Sequence, residues 1–246
     1  PGPVWRWDAA ASLDVRFAGT PPASVDDFSA LAGGNRFAIL GLDGRWEIFI
    51  AARAELIGER TVRLSRFLRG LAGSESAAGR MTPQGATVLA VDEALTATIV
   101  DPAMIGRAVR YRATPFGRET GDPSVAELSA IVTADALRPL APVHPRARRT
   151  ADGIALSWIR RTRLGGDAWE PLEAPLGEDR EAYRLDIRDG AAVKRALMVD
   201  VPALHYPSAD EIADFGAPQA SLAITLRQLS PTIGEGAPLS VTLPVA

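Results

Sequence analysis

The chain has 246 residues, of which 47% are hydrophobic, so it can bury a full core in one or two domains. It contains no cysteine, which excludes disulfides, thiolate metal sites and thiol nucleophiles. The net charge of -3 argues against the clustered basic face of a nucleic-acid-binding protein, so no direct nucleic-acid specificity is expected. The start at Pro1 has no initiator methionine and no signal-peptide pattern, so we expect an internal point of a longer polypeptide.

The first part of the chain consists of short alternating runs separated by Gly, Pro and Asp, which is typical of an all-β protein. Strands are predicted over 4–7, 13–17, 36–40, 46–51, 61–67, 87–91, 96–100, 108–113 and 127–133. The dipeptide Asp43-Gly44 predicts a hairpin turn, because both residues accept positive φ angles. A short helix is predicted over 24–31, with Ser24 as its N-cap.

The segment 54–73 predicts two strands joined by a turn at 58–60. Alternation in the second of these strands predicts two faces, one with Val62, Leu64 and Arg66, the other with Arg63, Ser65 and Phe67. Glycines at 70 and 73 are expected to end the strand, because glycine takes backbone angles that other residues resist.

A domain boundary is predicted at 140, so that 1–140 forms a β-rich region, which can contain two subdomains. The proline-containing segment 141–150 is predicted to be a linker and first strand, because proline cannot donate to a central ladder. Residues 143–246 then show the strand count of an immunoglobulin-like sandwich. Its further strands are predicted over 153–160, 182–188, 193–199, 203–206, 221–229 and 239–243, with a short helix over 210–215.

The second part resembles a fibronectin type III domain. The resemblance rests on Trp158 in the second strand, on the run Tyr183-Arg-Leu-Asp-Ile187, and on the later strand 222–229. Trp158 faces the same way as Ile154 and Leu156, so it is expected to pack between the two sheets. The type III fold is widely reused, and by itself it implies no function.

Several stretches together resemble the C-terminal part of the large baseplate protein of gene transfer agents and related siphophage tails, the "megatron" or host-specificity tail-tip family. They lie in the expected order at 54–73, 137–144, 154–163, 182–185, 213–216 and 226–230, while residues 1–35 add little. The resemblance implies a structural protein of a virion-like particle, forming a homotrimer about the tail axis. It also implies a role in host adsorption and DNA delivery. Full-length members carry an upstream barrel resembling glycoside hydrolases, none of which is visible here.

No arrangement of residues predicts catalysis, so the chain is not expected to be an enzyme, and no cofactor, metal or catalytic residue is assigned. The two histidines, His144 and His205, have no recognisable Ser or Asp arrangement beside them. Adjacent carboxylates are expected in solvated turns and caps, because neighbouring strand residues point to opposite faces. These doublets are Asp26/Asp27, Asp92/Glu93, Glu178/Asp179 and Asp210/Glu211.

The best candidate for recognition is Trp169, with Arg163 and Asp167, in the long loop 163–176 of the sandwich. Trp46, by contrast, is predicted to be buried. The arginines at 146, 148 and 149 are expected to pair with acidic groups of a neighbouring chain or domain, or else to contact phosphate or lipopolysaccharide. Expected partners are other copies of the chain, baseplate, distal tail or fibre proteins, and the host cell envelope.

Two further functions remain open. The chain is alternatively a receptor- or glycan-binding module of a tail tip, or an accessory region of a cell-wall hydrolase whose catalytic part lies upstream.

Overall fold

The computed structural model describes residues 3–164 and 174–246, and the architecture is all-β, as predicted. Backbone contacts divide the chain into two compact units, Pro1–Ala136 and Leu137–Ala246. Each unit has its own strands and its own hydrophobic core, so the two are described separately.

The first unit contains one five-stranded antiparallel sheet in the order β1-β4-β3-β2-β5 and a separate two-stranded ribbon, β6-β7. Its strands are β1 (Asp8–Arg16), β2 (Arg36–Leu40), β3 (Trp46–Leu56), β4 (Thr61–Leu71), β5 (Val88–Ala90), β6 (Ala108–Ala113) and β7 (Ala126–Ile131). Its helices are α1 (Asp27–Leu31) and α2 (Glu75–Ala78), with 3-10 turns at Pro102–Met104 and Asp135–Leu137. The β2-β3 hairpin turns as predicted at Gly44, whose φ is +76°.

Two predicted strands are wrong. The segment 4–7 forms a bend in place of a strand, and Trp5 within it has a φ of +58°. The segment 96–100 is irregular and Ile99 is 98% exposed, because no strand edge of the described chain pairs with it. Alternation in the sequence alone therefore does not decide whether a strand forms; pairing with a neighbouring strand does.

Helix α1 begins later than predicted, because Asp26 rather than Ser24 caps it. An Asp26 carboxylate oxygen accepts from the backbone N–H of Ser29 at 3.0 Å and so satisfies one free helical donor. The Ser24 hydroxyl instead donates to the carbonyl of Ala54 at 3.0 Å and accepts from its N–H at 2.9 Å. Ser24 thus fastens the segment before α1 to strand β3.

Strand β4 changes face at Arg66, where the sequence prediction is wrong. Arg66 has a φ of +55°, and the β1 register shifts between Asp8 and Ser12 opposite it. Alternation therefore slips by one residue, so that Phe67 joins the core of Val62 and Leu64 while Arg66 turns away.

The sheet of the first unit buries apolar side chains on both faces. On one face four rings follow one another, with centroid separations of 6.1, 5.7 and 5.6 Å, through Phe17, Phe37, Phe49 and Phe67. On the other face α1 packs Ala30 against Ile50 and Ala52. The central strand β3 contributes to both clusters, with Phe49 and Ala51 on one face and Ile50 and Ala52 on the other.

The second unit is a two-sheet sandwich of the fibronectin type III kind, as the sequence predicts. Its elements are β8 (Val143–Arg149), β9 (Gly153–Ile159), β10 (Tyr183–Asp189), β11 (Ala192–Val199), β12 (Ala203–Pro207), α3 (Ser208–Phe215), β13 (Ser221–Ser230), β14 (Gly234–Glu235) and β15 (Leu239–Pro244). One sheet has the order β12-β9-β8; in the other, β11-β10-β13 is extended by β15 and β14, which both pair with β13. Three strands thus face β11, β10, β13 and β15, with the two-residue β14 as a short fifth strand beside β13.

The sandwich core is centred on Trp158, which is 5% exposed, so the predicted core position is confirmed. Its ring meets Tyr183 of the opposite sheet edge-to-face at 5.2 Å, a favourable aromatic geometry. The first and last strands also meet: Ala147 bridges Val245 in parallel, and Arg149 N–H donates to the carbonyl of Ala246 at 2.7 Å.

Candidate recognition and interaction surfaces

The base of the long sandwich loop is held by two arginines. Arg163 Nη2 donates to Glu178 Oε1 at 2.8 Å, and both side chains are largely buried. Arg160 Nη1 donates to the carbonyl of Pro175 at 3.0 Å. Arg163 therefore joins the two ends of the loop. The other two predicted recognition residues, Trp169 and Asp167, lie outside the described residues, so their role remains a prediction.

Helix α3 is fixed to the sandwich by a buried carboxylate that sequence patterns do not reveal. Glu211 is fully buried and accepts from Arg149 of β8 at 2.6 and 3.1 Å, and from the backbone N–H of Gln219 at 2.7 Å. These hydrogen bonds, led by that of Arg149, hold the pKa of Glu211 below its ordinary value. Arg149 was expected to pair with another chain or domain; it pairs within its own unit instead.

The same helix also contacts the opposite sheet through Asp214. Its carboxylate accepts from Arg195 of β11 at 2.7 and 3.1 Å, and from the Tyr206 hydroxyl at 2.8 Å. Arg195 is the main cause that lowers the pKa of Asp214, while burial, then the hydrogen bond to Asp214, raises the pKa of Tyr206. Helix α3 thus ties strands of both sheets through charge-assisted hydrogen bonds.

A network of ion pairs lies on the outer face of the sheet that contains β10 and β13. Asp186 is buried and accepts from Arg184 at 2.9 Å and from Arg227 at 3.2 Å. Glu235 meets the same two arginines at 2.8 and 3.4 Å. Two cations and two anions balance, which is the pattern of a structural network.

Two of the arginine–carboxylate pairs of the first unit lie on opposite faces of its sheet. Arg69 Nε and Nη2 donate to Glu47 at 2.7 and 2.6 Å in a mostly buried pair. Arg66, turned out by its positive φ, donates to Asp27 at 2.8 Å and stacks 4.9 Å over the Trp7 ring. An open groove of about 470 Å³ lies beside this second pair.

In two of the four doublets the adjacent carboxylates serve separate structural roles, and the expected solvated position is wrong for Glu211, which is buried. Asp26 caps α1 while Asp27 binds Arg66, and Asp210 lies 3.3 Å from Arg195 while Glu211 binds Arg149. His205 is exposed and lies 3.5 Å from Asp152. Over residues 3–164 and 174–246, His, Asp and Glu form no group of three that could hold a metal ion.

Exposed apolar side chains are concentrated in the first unit, which sequence reasoning missed. Trp46 is 39% exposed, so the expected burial is wrong; it starts β3 at the end of the sheet, with Leu40 as its cross-strand partner. Phe28 of α1 and Phe116, in the loop joining β6 to β7, are also exposed. Within the described parts of the chain, no helix is both long and apolar enough to cross a membrane.

Comparison with known families gives one match. Residues 1–89 match a family described as "Rcc01698-like, C-terminal", named after a gene associated with gene transfer agents. The match includes 1–35, which added little to the resemblance seen in sequence. Of the stretches that carried that resemblance, it includes only 54–73. It ends at β5, close to the end of the five-stranded sheet.

Two other comparisons add little. No curated protein sequence matches the chain. Among solved structures, the rat CD45 extracellular region, domains d3-d4, is similar with a TM-score of 0.31 and 9% identity, covering 68% of this chain and 78% of that one. A similarity at this level assigns neither function nor partners. The family match therefore relates this chain to gene transfer agents, and thereby to a virion-like particle.

Proposed function

We propose that the chain is a structural component of the tail baseplate of a phage-like gene transfer agent. It contributes there to the central tail-tip assembly, and through it to host adsorption and DNA delivery. The observation that carries the proposal is the family match over 1–89, which contains β1 to β4 of the five-stranded sheet in full and ends within β5. Its location is then the virion, with other copies of the chain in a homotrimer and with baseplate, distal tail or fibre proteins as partners.

The chemistry of the charged clusters supports a mechanical role. Glu47, Glu211 and Asp214 each accept two hydrogen bonds from an arginine that joins separate elements of the fold. Bidentate arginine–carboxylate pairs give rigid geometry. Carboxylates held in this way serve as cross-links between elements, which suits a part that transmits load and is not expected to turn over substrate.

The proposal is tested by locating the protein in purified particles. Antibodies against this chain should label the tail end furthest from the head, and particles from a deletion strain should lack the tip and fail to deliver DNA. An antibody against a head protein is the matched control and should label both preparations equally. Intact, infectious particles from the deletion strain, or a protein found only outside particles, would contradict the proposal.

A second candidate function is receptor or glycan binding by the long loop. It is favoured by the base of the loop, where Arg163 bonds Glu178 and Arg160 bonds the carbonyl of Pro175, so the two described ends of the loop are joined. The full chain should then bind host cells or a glycan array, and Trp169→Ala should abolish that binding. Trp5→Ala, at an exposed tryptophan of the other unit, is the control and should bind normally.

The remaining alternative is an accessory region of a cell-wall hydrolase. Zymography of this chain against the longer polypeptide distinguishes it: activity confined to the longer form would favour it. Under the structural proposal this chain hydrolyses neither peptidoglycan nor common glycosides.

A further inference from the structure

The ribbon β6-β7 is largely uncovered by the rest of the described chain. Its strands pair from Ala108 with Ile131 to Ala113 with Ala126, and no other described strand pairs with either outer edge. Every residue of β7 is exposed. An isolated two-stranded hairpin is at best marginally stable in water, so the ribbon needs additional contacts to be held.

The two faces of the ribbon differ in chemistry. One face is apolar and is formed by Val109, Tyr111, Ala113, Ala126, Leu128 and Ala130. The opposite face carries two arginines and a glutamate, Arg110, Arg112 and Glu127, beside Ser129. On the apolar face Leu128 is 65% exposed and the three alanines are not buried, while Val109 and Tyr111 are half-buried, so much of this face is open. Unpaired strand edges beside an exposed apolar face are typical of a surface that binds another chain.

The charges distinguish among the ways in which two ribbons could join. Both arginines lie on β6, and the carboxylate lies on β7 between them, bonded to Arg112 Nε and 3.9 Å from Arg110 Nε. Joining β6 to β6 would place arginines opposite arginines, and joining β7 to β7 would bring two glutamates together. Only a β6 edge against a β7 edge sets opposite charges across the contact between two copies, which is called the seam below. Opposite-charge pairs across strands are favourable, while like-charge pairs are not.

We propose that the ribbon is the docking site for a second copy of this chain, with β6 of one copy pairing antiparallel to β7 of the next. Arg110 and Arg112 then share Glu127 of the partner subunit, and the apolar faces form one continuous surface. Because the two edges differ, the contact is heterologous, and repeated around an axis it closes a ring. The inference rests on the proposed function, for which it identifies the surface that joins the copies.

Paired cysteine variants test the seam directly, because the chain has no native cysteine. Arg110→Cys on β6 and Ser129→Cys on β7 are prepared separately in the full chain, one of them tagged, then mixed and treated with a short thiol cross-linker. The mixture should give a cross-linked species containing one copy of each variant, and neither variant alone should. Ser157→Cys, exposed on β9, is the control and should cross-link with neither.

Charge variants give a second readout. Arg112→Glu should weaken association of the full chain about two- to fivefold per seam, as expected for losing one cross-strand charge pair, and adding Glu127→Arg should restore it. Arg118→Glu, in the loop beyond the strands, should leave association unchanged. Circular dichroism checks that every variant folds.

Two results would overturn the inference. The first is the absence of a mixed cross-link, which includes the case in which only lipid vesicles or another tail protein protect the ribbon. The second is cross-linking by Arg110→Cys alone, which would show a β6-β6 contact. If the seam fails while antibodies still label the tail tip, the seam alone is wrong. If the seam forms in a protein absent from particles, the baseplate assignment is wrong.

Discussion

Replacing Glu211 by alanine is the sharpest test of how the sandwich is held together. The change removes a fully buried carboxylate that accepts two hydrogen bonds from Arg149 and one from the N–H of Gln219. Arg149 then loses its anion, and helix α3 loses its attachment to β8. We therefore expect a large loss of stability from one side chain that no core pattern marks.

The stability lost in Glu211→Ala depends on the contacts that Arg149 keeps. Removing one partner of a buried ion pair costs about 3–5 kcal/mol when the other is left buried. The Arg149 side chain is 35% exposed and keeps its bond to the Gln219 carbonyl at 2.7 Å, so water relieves part of this cost. We expect about 2–3 kcal/mol, which lowers the Tm of a domain of this size by roughly 10–20 °C.

The assay is thermal and urea unfolding of Glu211→Ala beside Asp210→Ala. Asp210 is the matched control, since it is the adjacent carboxylate of the same helix but lies at the surface, where a pair contributes less than about 1 kcal/mol. Equal losses in the two variants would refute the argument that burial and pairing at Glu211 fix the helix.

The pH dependence of stability gives an independent check on the same group. Because the pKa of Glu211 lies below its ordinary 4.5, the pair stabilises the fold above this pH, and that contribution is lost as pH falls through the lowered pKa. Glu211→Gln should therefore flatten the acid side of the stability profile. An unchanged slope below about pH 4.5 would show that the carboxylate is not held as described.

Three further predictions concern other parts of the fold. Trp158→Ala should destabilise the second unit by roughly 3–5 kcal/mol in urea unfolding, because it removes the central aromatic contact, and an unchanged midpoint would remove Trp158 from the core. Arg69→Ala should cost the first unit about 3–5 kcal/mol, since it leaves Glu47 buried without a partner, and a loss below 1 kcal/mol would contradict that burial. Burial raises the pKa values of Tyr183 and Tyr206, so in an alkaline absorbance titration each phenol should ionise only as the protein unfolds. Substitution of either tyrosine by Phe should remove its share of that signal. Ionisation before unfolding would show that the rings are accessible to solvent.

Much of the fold could be predicted because burial is periodic in this sequence. The strands at 36–40 and 108–113 match the structure residue for residue, and the sandwich strands differ only at their ends. The alternation of Tyr183, Leu185 and Ile187 predicts one buried face of β10, and this pattern can be read from neighbouring residues alone. Such patterns identify elements and one of their faces.

What could not be predicted depends on contacts distant in sequence. The change of face at Arg66 comes from its positive φ, opposite an irregular stretch of β1. The Arg149–Glu211 pair joins residues 62 positions apart, and neither residue stands out in a sequence with 27 basic and 30 acidic residues. The ribbon was recognised as two strands, but its isolation from every other described strand only appears once the sheet order is known.

The parallel contact between the first and last strands of the sandwich has a mechanical consequence. A pull on the two ends of this unit draws β8 and β15 apart along their own axes, because they run in the same direction where Ala147 meets Val245. The bonds between Arg149 and Ala246 and between Ala246 and Ala147 are then loaded together in shear instead of opening one after another. Resistance to such a pull is governed by the rate of unfolding and not by equilibrium stability. A particle that anchors to a cell through this unit would therefore rely on the contact between the first and last strands of the sandwich.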